Sequence, residues 1–406
     1  MKENEWKKLI ALLFGGWLVI WVYRSMLTPV YGEIQQTIGP QSNASMGMIA
    51  SLYFLGYTLM QIPSGLLVRR MGQKRVIIPG FILLAAGILV TTAAKSLMSL
   101  YVGSILAGTG CGTFYGAAFS LTAEYVPQDR KGLSAAMVNS GCSVGLIVGF
   151  LGASFLVKWL GLPWQVMGTA AFGLTIVMLV LFVIVLKDTK GRTEGRSFRE
   201  QNCRKPGCQK PDCREPGRSI DSRSLAACSI LYFATCYVYY LIITWLPDYL
   251  STERGLQGGI LGVVSALICI TAVPGGLYFA RLSDRQPGRK NQIVVFLEIM
   301  SVLIVCAAMM APGTALLAAA LLLYGFLGKI SVDPVLISCI SDFADAGDLA
   351  LALSIFNCCG MSGSIIAPIL TGWIKDVSGS GVWGFYIGAA LLTAAAVCFI
   401  NMNKAN

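Results

Sequence analysis

Apolar runs of about 20 residues follow one another down nearly the whole chain, each long enough to cross a hydrocarbon core of roughly 30 Å as a helix. They lie near residues 9–29, 44–68, 75–94, 97–121, 132–156, 163–186, 224–246, 257–280, 291–311, 314–339, 348–372 and 380–401. A chain of 406 residues that is 55% hydrophobic and only 13% charged lacks the polar surface to cover a soluble core of that size, so lipid serves as its solvent. The expected fold class is an all-α membrane protein with twelve transmembrane helices. Lys7 and Lys8 precede the first run, as in a secretory signal. That run is too long for one, carries Trp17, Trp21 and Arg24, and lacks a small-residue cleavage site, so it is expected to be a retained helix.

An even number of spans puts both termini on one side, and the basic residues say which. Lys2, Lys7, Lys8, Arg69, Arg70, Lys74, Arg75, Arg130, Lys131, Arg281, Arg285, Arg289, Lys290, Lys404 and the basic residues of 187–223 share one side, against Lys95, Lys158, Arg254 and Lys375 on the other. The expectation is a multi-pass protein of the cell (cytoplasmic) membrane with both termini cytoplasmic, its main partner membrane lipid. The net charge of +11 is then an orientation signal, and no nucleic-acid partner is implied. One loop dissents: 341–348 carries Asp342, Asp345 and Asp348 on the same side, where acids weigh little.

Most of the 13 cysteines fall inside or at the ends of spans, where a thiol behaves as a small hydrophobe. Histidine is absent, which removes imidazole as a metal ligand or proton relay, so a coupled proton must use a carboxylate or travel with the substrate.

The one long polar segment, 187–223, reads as a cytoplasmic linker between residues 1–186 and 224–406. The two halves overlay at an offset of about 215–218 residues. Pro29-Val-Tyr31 ending span one matches Pro247-Asp-Tyr249 ending span seven, and the basic turn Arg70 to Arg75 matches Arg285 to Lys290. Gly108 matches Gly325, while Asn139, Gly145 and Gly149 match Asn357, Gly363 and Ala367. Within the linker Cys203, Cys208 and Cys213 recur every fifth residue. Three thiolates without a fourth donor read better as a reduced, solvated linker than as a zinc or redox site.

Four ionisable residues lie well inside the spans: Arg24, Glu298, Lys329 and Asp333. Each costs roughly 2.5 kcal/mol or more if it faces lipid, so each is expected to face protein or a wet cavity. Trp17, Arg24, Thr28 and Tyr31 share one stripe of span one. A guanidinium there stays charged and offers forked donors that match carboxylate or phosphate oxygens; its alternative role is to lock helices. Lys329 and Asp333, four apart on one face of span ten, are either a self-neutralised pair or a second cation with an ion-coupling carboxylate. Glu298 is expected to serve helix packing. Tyr53, Tyr57 and Gln61 on span two, and Tyr232, Cys236, Tyr240 and Thr244 on span seven, form polar stripes suited to a wet interior. Asn139 and Asn357 either bind substrate or join helices.

The link between spans two and three, Gly65-Leu-Leu-Val-Arg69-Arg70-Met-Gly72-Gln-Lys74-Arg75, resembles the signature of the major facilitator superfamily, with Arg69 where the family has an acid. The second half repeats it as Asp284-Arg285-Gln-Pro-Gly288-Arg289-Lys290. The resemblance implies two pseudo-symmetric six-helix bundles that rock about a central cavity lined by spans one, four, seven and ten. It also implies a conformational latch made by Gly65, Arg70, Gly72, Lys74, Asp284 and Arg285, with Glu124 or Asp129 as substitute acids. Ser104 stands where proton-coupled exporters carry a basic residue, and Gly141, Gly145, Gly149 and Gly152 lack the antiporter proline. Arg24 is similar to the arginine with which anion:cation symporters and organophosphate antiporters hold their anion. Tyr23 and Cys111 replace two carboxylates of the symporters.

The expected function is alternating-access transport of a small organic anion: a carboxylate, sugar acid or phosphate ester. Arg24, Lys329, Tyr53, Tyr57, Gln61, Tyr240, Asn139 and Asn357 are the candidate binding residues, and Asp333 the ion-coupling residue. Coupling to a proton, sodium or a counter-anion all fit, by a chain working as a monomer without cofactor or bound metal. The competing readings are a drug or hydrophobic-compound exporter and a membrane sensor or scaffold with a metal-binding cysteine loop. The sequence shows no nucleophile–base constellation of an enzyme.

Overall fold

The structure, a computed structural model, describes residues 3–126, 131–186, 222–343 and 349–403. Cys203, Cys208, Cys213, Asp129, Asp345 and Asp348 lie outside them. Among the described residues, twelve helical spans are long and apolar enough to cross a membrane: α1 (Trp6–Ile38), α2 (Asn43–Val68), α3 (Lys74–Thr92), α4 (Leu97–Thr122), α5 (Ala136–Trp159), α6 (Gln165–Val185), α7 (Ser222–Thr252), α8 (Gly258–Arg285), α9 (Pro287–Met310), α10 (Thr314–Asp342), α11 (Ile355–Ser378) and α12 (Val382–Met402). Helix is the form in which such a segment satisfies its own backbone in lipid.

Two spans run past the prolines expected to end them. After Met26 the chain makes one 3₁₀ turn over Thr28–Val30 and resumes as helix over Tyr31–Ile38. Pro29 lies in the first turn of that piece, where its missing N–H costs nothing. Pro247 is likewise carried inside the helix Ser222–Thr252. Both sites obey the internal repeat.

Other features repeat with them. α4 is broken between Leu97–Gly112 and Phe114–Tyr125, and α10 between Thr314–Leu327 and Lys329–Phe343. Close packing repeats as well. A Cβ at Gly108 would lie 2.0 Å from the Tyr53 carbonyl oxygen, and one at Gly325 would lie 2.2 Å from that of Ile268. Gly145 packs against the Leu18 carbonyl as Gly363 packs against that of Phe233. The glycines let α2 meet α4, α8 meet α10, α1 meet α5 and α7 meet α11 with backbones nearly touching.

At the face that carries the termini, Gly72 closes the helix before the first basic turn with φ +86°, its N–H donating to the Val68 carbonyl, a conformation that favours glycine. An acid from the end of the fourth helix of each half meets that turn: Gln73 Nε2 donates to Glu124 at 3.1 Å, and Lys290 pairs with Asp342 at 2.6 Å. Glu124 thus faces the turn whose own acid is replaced by Arg69. Lys74 donates to the Val183 carbonyl; Arg70, Asp284 and Arg285 are exposed, and Gly65 has open space beside it. Among the described residues, the hydrogen bonds and ion pairs made by these six stay within their own half.

The halves meet mainly at the opposite face. There α2 packs on α11 and α5 on α8. The Asp376 carboxylate accepts from the Asn43 and Ala44 backbone N–H groups, both at 2.8 Å, and from Asn43 Nδ2 at 2.7 Å. An acid ending α11 therefore caps the start of α2 in the other half, where the helix dipole favours it. Along the same seam Gly47 sits against the Pro368 carbonyl and Gly372 against that of Asn43. Nearer the terminal face, Asn357 Nδ2 donates to Gln61 Oε1 at 2.6 Å. The contacts of α2 with α11 and of α5 with α8, with the Asp376 cap, make this a state closed at the face opposite the termini.

Candidate functional site

Arg24 reaches from α1 to the seam between the halves. Its guanidinium carbon lies 3.6 Å from the ring centre of Phe54, 4.7 Å from Tyr240, 5.0 Å from Trp21 and 5.8 Å from Tyr53. Tyr240 belongs to the second half, so the cage spans both. Rings attract a cation by about 1–2 kcal/mol each when desolvated, but they accept no strong hydrogen bond. Arg24 Nε and Nη1 are buried with no hydrogen-bond partner, and no carboxylate among the described residues pairs with the group. Beside it is a cavity of about 20 Å³ lined by Arg24, Thr28, Tyr31, Tyr53, Phe54 and Thr244 among others, room for a water and not for a solute. Tyr31 closes against Trp245, ring centres 6.0 Å apart. Of the expected α1 stripe, Arg24, Thr28 and Tyr31 share this cavity; Trp17 instead packs on Phe114, Tyr115 and Trp21.

A second charged group stands on α10 just past its break. Lys329 Nζ pairs with Asp333 Oδ2 at 2.5 Å and donates to the Tyr232 hydroxyl at 3.4 Å. It also lies over the rings of Tyr232 and Tyr239, at 5.1 and 5.6 Å. Asp333 Oδ1 is buried without a partner. Tyr240 and Cys142 are within electrostatic reach of both Arg24 and Lys329, which places the two cations around one central region. Of the two sequence readings, the self-neutralised pair is formed in this state.

Tyr53, Tyr57 and Tyr240 cluster here: Tyr57 lies within electrostatic reach of Tyr240, and Tyr53 within that of Arg24. Gln61 and Asn357 are brought together, bonded to each other across the seam. Asn139 is exposed on α5 and makes no hydrogen bond to a described residue. Sequence reasoning missed Phe54 and Trp21, the two cage members without a polar stripe to mark them. Phe54 follows Tyr53 and so sits about 100° around the helix from the stripe that was read. It missed Asp376 too, since a cap supplied across the seam leaves no local pattern.

The region offers forked N–H donors without an acid, a cation held by a carboxylate that can let it go, and several tyrosine hydroxyls. That set can hold a small anion and release it as the halves part.

The sequence matches the Major Facilitator Superfamily over residues 12–364 and 230–405. It is 24% identical over 379 residues to a putative tartrate transporter of Agrobacterium vitis, covering 88% of this chain and 81% of that one. It is 22% identical over 409 residues to the hexuronate transporter of Bacillus subtilis, covering 97% and 93%. Among solved structures, a bacterial homologue of the human lysosomal transporter Spinster, in an inward-facing and occupied conformation, superposes with a TM-score of 0.81 at 13% identity, covering 100% of this chain and 98% of that one. The repeated breaks, the shared glycine contacts and the seam between two six-helix halves are the architecture of that family, and this chain is a secondary transporter of the Major Facilitator Superfamily.

Proposed function

We propose that the protein carries a small organic anion, a carboxylate or sugar acid, across the cytoplasmic membrane by alternating access. The observation that carries this reading is Arg24: a guanidinium at the seam of the halves, caged by four rings, with two buried nitrogens that donate to nothing and no acid paired with it among the described residues. A fixed cation left so is costly unless a mobile anion visits it. Relatives named for tartrate and hexuronate transport support the class of cargo. In this reading Lys329 adds charge, Tyr53, Tyr57 and Tyr240 bound the size of the solute, and Asp333 takes the coupling proton. Gln61 and Asn357 part when the seam opens, and Asn139 comes to the solute only in another state. The six residues of the basic turns form their latch when the terminal face closes. The excess of Lys and Arg puts that face in the cytoplasm, so the state described is open inward.

The reading is tested by uptake into liposomes across a panel of dicarboxylates, sugar acids and phosphate esters, each beside its uncharged analogue. Saturable uptake of anions and not of their neutral counterparts is expected. Uptake confined to hydrophobic or cationic compounds would overturn it.

The Lys329–Asp333 pair gives a separate prediction. Lys329→Ala strands Asp333, at a cost of about 2–3 kcal/mol for a partly wet site. The purified variant should melt lower than the parent, and Lys329→Ala/Asp333→Ala should recover most of the loss. A single variant as stable as the parent would show that the pair does not matter to the fold.

A further inference from the structure

Glu298, expected only to pack α9, lies at the centre of the second half with none of its surface exposed. Its Oε1 meets the Thr235 hydroxyl of α7, and its Oε2 is buried with no partner. The Thr235 hydroxyl has two neighbours in reach, Glu298 and the Leu231 carbonyl at 2.9 Å. It has one hydrogen. A carbonyl can only accept, so either Thr235 shares its one hydrogen between the two oxygens or it donates to Leu231 and Glu298 brings a proton of its own, and only the second arrangement gives two full hydrogen bonds. No cation among the described residues pairs with Glu298, since Lys329 is engaged by Asp333. The groups within electrostatic reach are Asp333 of α10, Tyr324 on the other side of the α10 break, and Cys236 of α7. Glu298 and Asp333 thus flank one region, each with an orphaned oxygen. Asp333, with 24% of its side chain exposed, is the wetter of the two.

We propose that Glu298 is a proton-carrying station of the transport cycle, a dry store that exchanges its proton with Asp333. When the O–H bond of Glu298 breaks, an O–H bond forms at Asp333 Oδ1, and the proton passes from there to cavity water. While Asp333 holds that proton it is neutral and Lys329 is released to face the anion or the Glu298 carboxylate; loss of the proton to water restores the Lys329–Asp333 pair. The inference rests on the anion-transport reading and extends it by naming a second titrating group.

Glu298→Gln tests it, because glutamine keeps the shape and hydrogen bonds of the protonated acid while carrying no exchangeable charge. Two assays are run on liposomes with an anion the parent transports: accumulation driven by a pH gradient, and counterflow exchange of labelled for unlabelled anion at equal pH. For one proton per cycle, a gradient of about one unit drives about tenfold accumulation. The expected result is that the variant loses this accumulation and keeps counterflow near the parental rate. Gradient-driven accumulation at the parental level would overturn the proposal, as would equal loss of both activities in a variant that melts like the parent. If the parent itself exchanges no anion, it is the underlying transport reading that fails.

Discussion

Replacing Arg24 by alanine should reduce anion uptake at least about 100-fold, because two charge-assisted hydrogen bonds to the solute, about 1.5–3 kcal/mol each, are lost. The protein should still assemble. Arg24 Nε and Nη1 bond to nothing in the structure, so the substitution breaks no hydrogen bond of those atoms. What it removes is the contact with Phe54, Tyr240, Trp21 and Tyr53, offset by relief from a charge without an acid. Arg24→Lys separates charge from geometry: it keeps the cation and loses the fork, so an intermediate loss of about tenfold is expected. Initial uptake rates at matched protein density, with melting temperature as the check on folding, decide the matter. Equal rates for alanine and parent would remove Arg24 from the site.

The second large effect is expected at the seam. A Cβ at Gly47 would lie 2.2 Å from the Pro368 carbonyl oxygen, so Gly47→Val drives α2 away from α11 where they close the face opposite the termini. Overpacking of this kind costs about 1–3 kcal/mol, enough to move a two-state gate by about five- to 150-fold. Transport should fall by a comparable factor while the two halves remain folded. Spin labels at Gln41 and Val377, read by double electron–electron resonance, should gain a population at longer distance. Asp376→Ala should give a smaller shift of the same sign, since it removes the cap on Asn43 and Ala44, worth about 1 kcal/mol. Gly173→Val, at a position with nothing within 4 Å, should leave uptake unchanged. If Gly47→Val carries anions at the parental rate with the parental distance distribution, the seam is not a moving gate.

The sequence shows the architecture because a membrane makes helices long, apolar and countable, and because duplication leaves the same glycines at the same offset. The spans α1 and α7 run past Pro29 and Pro247: a proline in sequence looks like a stop, yet a 3₁₀ turn at the first and a proline carried inside the helix at the second let the chain go on. Arg24, Lys329 and Asp333 were visible because a charge amid apolar residues stands out in one dimension. Their partners were not. Phe54 and Trp21 differ in nothing local from lipid-facing rings, and the capping of Asn43 by Asp376 joins positions that only the folded seam brings together. Asn139 is exposed on α5, whereas its repeat partner Asn357 bonds to Gln61 across the seam, so the repeat matches the positions without matching their contacts in this state. Glu298 was legible as a buried charge, but the case for its carrying a proton comes from the fold, which sets two oxygens, those of Leu231 and Glu298, around the one hydroxyl of Thr235.

The central claim is that Arg24 holds the negative group of the cargo. Isothermal titration of a transported anion into purified parent and Arg24→Ala protein, in the same detergent and at the same pH, tests it directly. Saturable binding by the parent and none by the variant is the predicted result; the same affinity in both would contradict it.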